Sequence, residues 1–171
     1  MSSEDSPFTI RTHRPGDLGY IVSRHAAIYS QEYGYSPHFE ALVARIAADF
    51  IDSFDADRER CWIAEKDNVF LGSIMLAKDS ERLDAAKLRL LLVEPAARGL
   101  GLGKTLTQAC IAFARAAGYR RIVLWTQSHL LAARKLYHAE GFHQVEKQDI
   151  VHDQFKPGLR SESWELDLAD V

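Results

Sequence analysis

Cysteine is scarce in this chain of 171 residues. Cys61 and Cys110 are its two cysteines, each alone in apolar surroundings. Neither a disulfide framework nor a thiolate metal site is expected, and two structural thiols in a reducing compartment are. The seven histidines stand at no ligand spacing, so no metal is expected either. Long apolar runs are missing: no window approaches the ~18 apolar residues of a membrane span, and the opening "MSSEDSPF" has no apolar core of a signal peptide. Basic excess is missing too. Against 24 acidic residues stand 21 Lys and Arg, for a formal charge of −3, and no basic run exceeds two residues. This argues against nucleic acid and anionic membrane as partners. The expected compartment is the cytoplasm.

What is present is ordinary for a globular domain: 47% hydrophobic and 26% charged residues. The length suits one domain over residues 1–171, with 1–7 flexible. "FTIRTH" alternates and reads as a strand. Pro15-Gly16-Asp17 opens a helix with Asp17 as N-cap, and Leu18, Ile21, Val22, Ala26 and Tyr29 recur at helical spacing up to Gly34. A second helix has Ser36 as N-cap, Pro37 at its first position and Glu40 placed for a capping box. "RCWIAEKDNVFLGSIMLAKD" reads as a hairpin about Lys66-Asp67-Asn68. "AAKLRLLLVEP" is a nearly continuous apolar strand, of the kind covered on both faces. "GLGKTLTQACIAFARAAG" follows as a helix, with Leu102, Leu106, Ala109 and Phe113 on one face. Then come the strand "RRIVLWTQ", a helix capped by Ser128 and ended by Gly141, and two closing strands, "FHQVEKQDIV" and "SESWELDL". The order βααβββαβαββ predicts mixed α/β (α+β) architecture: a mostly antiparallel sheet of six to seven strands with helices on both faces.

The chemistry is concentrated in "PAARGLGLGKTL", residues 95–106. A Walker loop ends in Gly-Lys-Thr, as here, but its first glycine would stand at Arg98. It also wants an acidic residue at the end of another strand, and "RIVLWTQ" has none. A Gly-x-Gly-x-x-Gly dinucleotide fingerprint fails when counted from Gly99 or from Gly101. What remains is strand, Pro95, Arg98-Gly-Leu-Gly-Leu-Gly, helix. Free N–H groups at a helix start, with a favourable macrodipole, still make an anion site. Glycines let the backbone approach a pyrophosphate, and Arg98 and Lys104 add charge.

Arg98-x-x-Gly101-x-Gly103 after a strand ending Val-x-Pro resembles motif A of the GNAT N-acetyltransferases. "AARKLYHAEGF" resembles that family's Ala-x-x-Leu-Tyr-x-x-x-Gly-Phe, through Ala133, Leu136, Tyr137, Gly141 and Phe142. The strand and helix order is similar over essentially the whole chain. Both ends are also similar to the acetyltransferase half of bacterial proteins that fuse a MarR-type regulator to such a domain; no winged-helix segment accompanies them here.

The resemblance implies a GNAT fold that binds acetyl-CoA in a V-shaped opening between strands 88–94 and 121–127. The thioester carbonyl and pantetheine amides would meet backbone near Leu92 and Val93, polarising the carbonyl as an oxyanion hole does. The pyrophosphate would lie on Arg98, Gly99, Leu100, Gly101, Leu102, Gly103 and Lys104, with Ala133 close by. Many relatives carry Asn seven residues before the tyrosine; this chain has Leu130, so Ser128 or His129 would substitute, unless Ser128 is only a cap. Direct attack by an amine is implied, with Tyr137 as the general acid that protonates the departing thiolate. A phenol with pKa ~10 is protonated at neutral pH. The implied acceptor is a primary amine of a small molecule. For its proton the sequence offers Glu94, Glu32 or a water chain. The aromatic segment carrying Glu32 and Tyr35 is either an acceptor pocket or the packing of two helices. Arg89, a charge within an apolar strand, either recognises a substrate carboxylate or pairs with an acidic neighbour. Trp125 reads as core. Two further readings of the same fold are a non-catalytic acyl-CoA sensor and a protein-lysine acetyltransferase, and a Walker-type hydrolase is the third class. Relatives often pair through the late strands, so a homodimer is a possible assembly.

Overall fold

The computed structural model describes residues 6–168, with backbone alone over 146–149. The expectation that residues 1–7 are flexible falls largely outside this range. The chain folds as β1 (Thr9–Thr12), α1 (Asp17–Tyr33), α2 (Pro37–Asp52), β2 (Arg60–Lys66), β3 (Val69–Lys78), β4 (Ala85–Val93), a 3₁₀ turn (Pro95–Ala97), α3 (Leu102–Ala116), β5 (Arg121–Gln127), α4 (Leu131–Ala139), β6 (His143–Val151) and β7 (Arg160–Asp167). The expected order is thereby reproduced. The sheet order is β1-β2-β3-β4-β5-β7-β6, and the β4–β5 pair is parallel while the others are antiparallel.

The local signals explain most boundaries. Asp67 and Asn68, at φ 52° and 63°, form a two-residue hairpin turn of the kind whose twist matches its strands. Ser36 caps α2 through the His38 N–H, but Glu40 does not close a box, because the Ser36 N–H donates to the Phe155 carbonyl at 2.7 Å. Two caps differ from expectation. Gly16, in the left-handed region at φ 96°, precedes α1, and Asp17 is its first residue. The Asp17 carboxylate accepts from the Arg14 N–H and pairs with Arg11. Nor does Ser128 cap α4: that helix begins at Leu131, after Leu130, without a side-chain cap.

Alternation divides the sheet into two faces. On one, Ile74, Leu88 and Leu124 pack with α3 through Leu102, Leu106, Cys110 and Ala114, and with Tyr137 of α4. Leu102 and Leu106 are fully buried, each contributing roughly 1.5–3 kcal/mol. On the other face Cys61, Ile63 and Met75 pack beneath α1 and α2. The link between β6 and β7 folds back over α2, burying Phe155 and Leu159 against Tyr35, Phe39 and Val43.

Candidate active site

Strands β4 and β5 run together only from Ala85/Arg121 to Leu88/Leu124. Beyond that the two separate. Their divergence coincides with a bulge: Met75 faces Arg89 and Ser73 faces Leu92, so Leu90 and Leu91 together stand against Ile74. Leu90 takes φ 54°, a left-handed conformation that costs a residue with a β-carbon about 1–2 kcal/mol. The Ser73 hydroxyl donates to the Leu90 carbonyl at 3.4 Å, and the Leu90 side chain packs beneath α1 and α2. The β5-facing edge of β4 from Arg89 to Val93 therefore has no strand partner among the described residues, and a cleft of about 980 Å³ opens there.

The glycine loop forms one end of this cleft. Gly99 and Gly101 sit at φ 85° and 75°, conformations that glycine enters freely, and Gly101 starts α3 without a side-chain cap. The first N–H of α3 to find a backbone acceptor belongs to Thr105, bonded to the Gly101 carbonyl. Among the described residues the N–H groups of Gly99 to Lys104 have no acceptor. Six such donors at a helix start suit a pyrophosphate. Gly103 carries no side chain for a different reason: a β-carbon would lie 3.3 Å from Leu136 of α4, which packs against this turn.

Of the predicted cofactor residues, Leu92, Val93, Arg98, Gly99, Gly101, Leu102, Gly103, Lys104 and Ala133 line the cleft; Leu100 is exposed outside it, and Ser128 lies off its wall. Tyr137 is 5% exposed yet lines the cleft, and its hydroxyl bonds to no described residue. Burial raises its pKa, with Tyr29 and Cys110 adding to the shift, so the phenol stays protonated well above neutrality.

The carboxylates considered as bases are both engaged. Glu94 is 14% exposed and takes a bidentate bond from Arg24, and Glu32 pairs with Arg98 at 2.8 Å. Neither lines the cleft. Tyr35 is also withdrawn, buried beneath α2, where its hydroxyl hydrogen-bonds His129 Nε2 at 2.6 Å. His129 does line the cleft, exposed at its rim, and burial and Lys156 lower its pKa, keeping the imidazole neutral. His25, a second lining imidazole, is 2% exposed, bonds the Ile21 carbonyl through Nδ1 and is held neutral by burial. Neither histidine carried a spacing signal. Trp125 is not core: it is 39% exposed in the cleft wall, edge-on to His152 at 4.8 Å, on the face of β5 opposite the one that Ile122 and Leu124 turn to α3. Arg89 lines the cleft half-buried and makes no hydrogen bond or ion pair among the described residues.

Comparison with known proteins bears on this geometry. The model of the "Acetyltransferase (GNAT) family" matches residues 24–142. The chain is 33% identical over 123 residues to N-acetylaspartate synthetase of Xenopus tropicalis, covering 71% of this chain and 44% of that protein. It is 32% identical over 99 residues to N-acetyltransferase 8 of Homo sapiens, covering 56% and 44%. It thus spans less than half the length of these relatives. Among solved structures, yncA of Salmonella typhimurium, a putative acetyltransferase with its cofactor acetyl-CoA, superposes at TM-score 0.75 and 20% identity over 97% of this chain and 96% of that one. Ribosomal-protein-alanine N-acetyltransferase of Brucella melitensis does so at TM-score 0.76 and 17% identity, over 94% and 99%. With the family model spanning well over half its length and the fold, glycine loop and parted strands in place, the chain belongs to the GNAT family of acetyltransferases.

Proposed function

We propose that this protein transfers an acetyl group from acetyl-CoA to the primary amine of a small molecule. The observation that carries the reading is the conjunction, around one cleft, of the unsatisfied N–H groups of residues 99–104, the unpaired edge of β4 and the free hydroxyl of Tyr137. Gly99 to Lys104 would hold the pyrophosphate, and the β4 edge at Leu92 and Val93 would hold the pantetheine and thioester. The bound cofactor supplies an activated acetyl group. The chain's own part is to orient that group, polarise its carbonyl with backbone N–H groups and deliver a proton from Tyr137 to the departing sulfur. Arg24 and Arg98 hold Glu94 and Glu32, so the ammonium's proton passes to neutral His129 or to solvent. Arg98 meets the pyrophosphate by leaving Glu32, or brings that carboxylate with it.

The name of one relative, N-acetylaspartate synthetase, supports a small acceptor, whereas that of N-acetyltransferase 8 names none. Two buried free thiols suit a reducing cytoplasm. Among the described residues no helix is long and apolar enough to cross a membrane. The sheet edge at β6 is a surface through which two copies could pair.

The test has two stages. At 100 times its Kd, acetyl-CoA should stabilise the protein by about 2.7 kcal/mol, a rise in Tm of several degrees, and ATP should not. An amine panel read by thiol release should then show turnover, and Tyr137→Phe should lower kcat by about 10²-fold or more with Tm nearly unchanged, since the hydroxyl bonds to no described residue. Stabilisation without turnover of any amine would leave a sensor. Unaltered turnover in Tyr137→Phe at every pH would remove the tyrosine from the mechanism.

A further inference from the structure

We propose that the acceptor is an amino acid or a close analogue, with a carboxylate a few bonds from the amine, and that Arg89 binds that carboxylate. This rests on the acetyltransferase reading and adds to it a substrate class and the residue that selects it.

Arg89 occupies a specific place. It faces Met75 of β3, whose side chain packs beneath α1 and α2, so Arg89 projects to the same face, opposite the one covered by α3 and α4. It is the last residue of β4 before the bulge. Three arginines line the cleft. Arg82 pairs with Glu165 at 2.7 Å and Arg98 with Glu32 at 2.8 Å, while Arg89 has no partner among the described residues. Its influence from Asp79 and Asp49 is felt only at a distance. Asp79 itself receives N–H groups from Glu81 and Arg82 and lies 3.9 Å from Lys87. Burial lowers the Arg89 pKa, as expected for a guanidinium stripped of water without a counter-ion. Arginine does not escape that cost by losing its proton. A planar fork with five donors, half-buried and unpaired in a cleft wall, is matched by one chemistry above others: a carboxylate accepting two parallel N–H bonds.

The position excludes the cofactor's phosphates as the anion. The N–H groups that suit them follow the far end of β4, after Pro95, whereas Arg89 precedes the bulge on the opposite face of the sheet. It also limits the acceptor. Leu92 lies three positions beyond Arg89, at most about 10 Å of strand at 3.3 Å per residue and less across the bulge, and the long arginine side chain spans part of that interval. An amine attacking at the β4 edge and a carboxylate on Arg89 therefore belong to one small molecule. A polypeptide carries its reactive amine and its terminal carboxylate too far apart. Across the opening, exposed Trp125 shares Arg89's side of the sheet, since its neighbours Ile122 and Leu124 pack on the α3 side, and it offers an apolar wall to the acceptor's side chain.

The experiment compares matched triplets, an amino acid with its primary amide and its decarboxylated amine, on wild-type protein, Arg89→Met and Arg89→Lys. Expected is a kcat/KM for the best acid at least tenfold above its amide in the wild type. Arg89→Met should lose about 10- to 100-fold on the acid, the worth of a charge-assisted pair, and change little on the amide, with part recovered in Arg89→Lys. Stabilisation by acetyl-CoA should be the same in all three. Equal turnover of acid and amide by the wild type, or equal losses on both in Arg89→Met, would overturn the proposal while leaving the transferase standing. If no amine is acetylated, the transferase reading fails, and calorimetry on the CoA-loaded protein still decides the anion site. Tighter binding of acid than amide, abolished in Arg89→Met, supports it; indifference to the carboxylate overturns it.

Discussion

At the scale of single residues, His25 shows how a buried group makes stability depend on pH. Its imidazole sits beneath the cleft, stacked on Tyr29 at 5.9 Å, and burial lowers its pKa from 6.5 to about 4. The folded state therefore holds it neutral, while the unfolded chain binds its proton from about pH 6.5 downward. Stability from the neutral ring is fully present above pH 6.5, erodes as pH falls, and is gone below about pH 4, a loss of about 3 kcal/mol at 1.36 kcal/mol per unit. Burial also lowers the pKa of His13, His129 and His152, so they slope the same way. The difference between wild type and His25→Gln isolates the one group. Urea titrations at pH 7 and pH 4.5 should show the wild type losing more stability than the variant; parallel losses would place the titration elsewhere. The same scale shows what a sequence conceals about charge. Glu32 and Glu94 looked like available bases, and each proves to be held by an arginine 66 or 70 residues away. Arg89 offered two readings, and among the described residues no carboxylate comes within ion-pair distance of it, Asp79 and Asp49 acting only from further away.

At the scale of elements, the loop and the bulge shape the cleft by different means. The loop uses glycine where left-handed backbone is needed, and so it could be read directly from "RGLGLG". Gly101→Ala tests this cleanly, because a β-carbon there meets nothing within 4 Å and the effect is confined to the backbone. Holding alanine at φ 75° costs about 1–2 kcal/mol. Tm should fall by a few degrees, and calorimetric affinity for acetyl-CoA should weaken tenfold or more as the N–H row shifts. Undiminished affinity would mean that these donors do not hold the cofactor. The bulge places an ordinary leucine in the left-handed region, with nothing in "KLRLLLV" to announce it. Its cause lies in the pairing with β3 and in the packing of Leu90 beneath two helices. The misplaced cap at Asp17 and the capping box that Ser36 does not close have a related explanation. Asp17 turned to Arg11 and the Arg14 N–H, and the Ser36 N–H to Phe155, partners that local spacing does not reveal.

At the scale of the whole molecule, Cys61 and Cys110 report on global opening. Both are fully buried, on opposite faces of the sheet. Burial pushes the Cys61 thiol up to about 12 and raises that of Cys110 as well. Neither thiolate forms appreciably at pH 8. Labelling with a disulfide reagent at that pH should be slow in the native protein, fast in denaturant, and slower still with acetyl-CoA bound, because ligand deepens the opening free energy. Rapid labelling of one thiol in the native state would show that its face opens locally. The order of strands and helices, the continuous apolar strand "AAKLRLLLV" and the glycine-rich turn were legible in the sequence, since periodicity and glycine conformation are local, while Tyr137 and an opening between the two strands were implied by the family resemblance of its motifs. The tertiary structure decided where β4 and β5 separate, after Leu88 and Leu124, that Arg98 rests on Glu32, that Trp125 lies open and that Arg89 stands without a partner among the described residues. Those outcomes depend on which distant groups come to share a desolvated space, and burial and charge pairing are properties of neighbours, which the chain acquires only by folding.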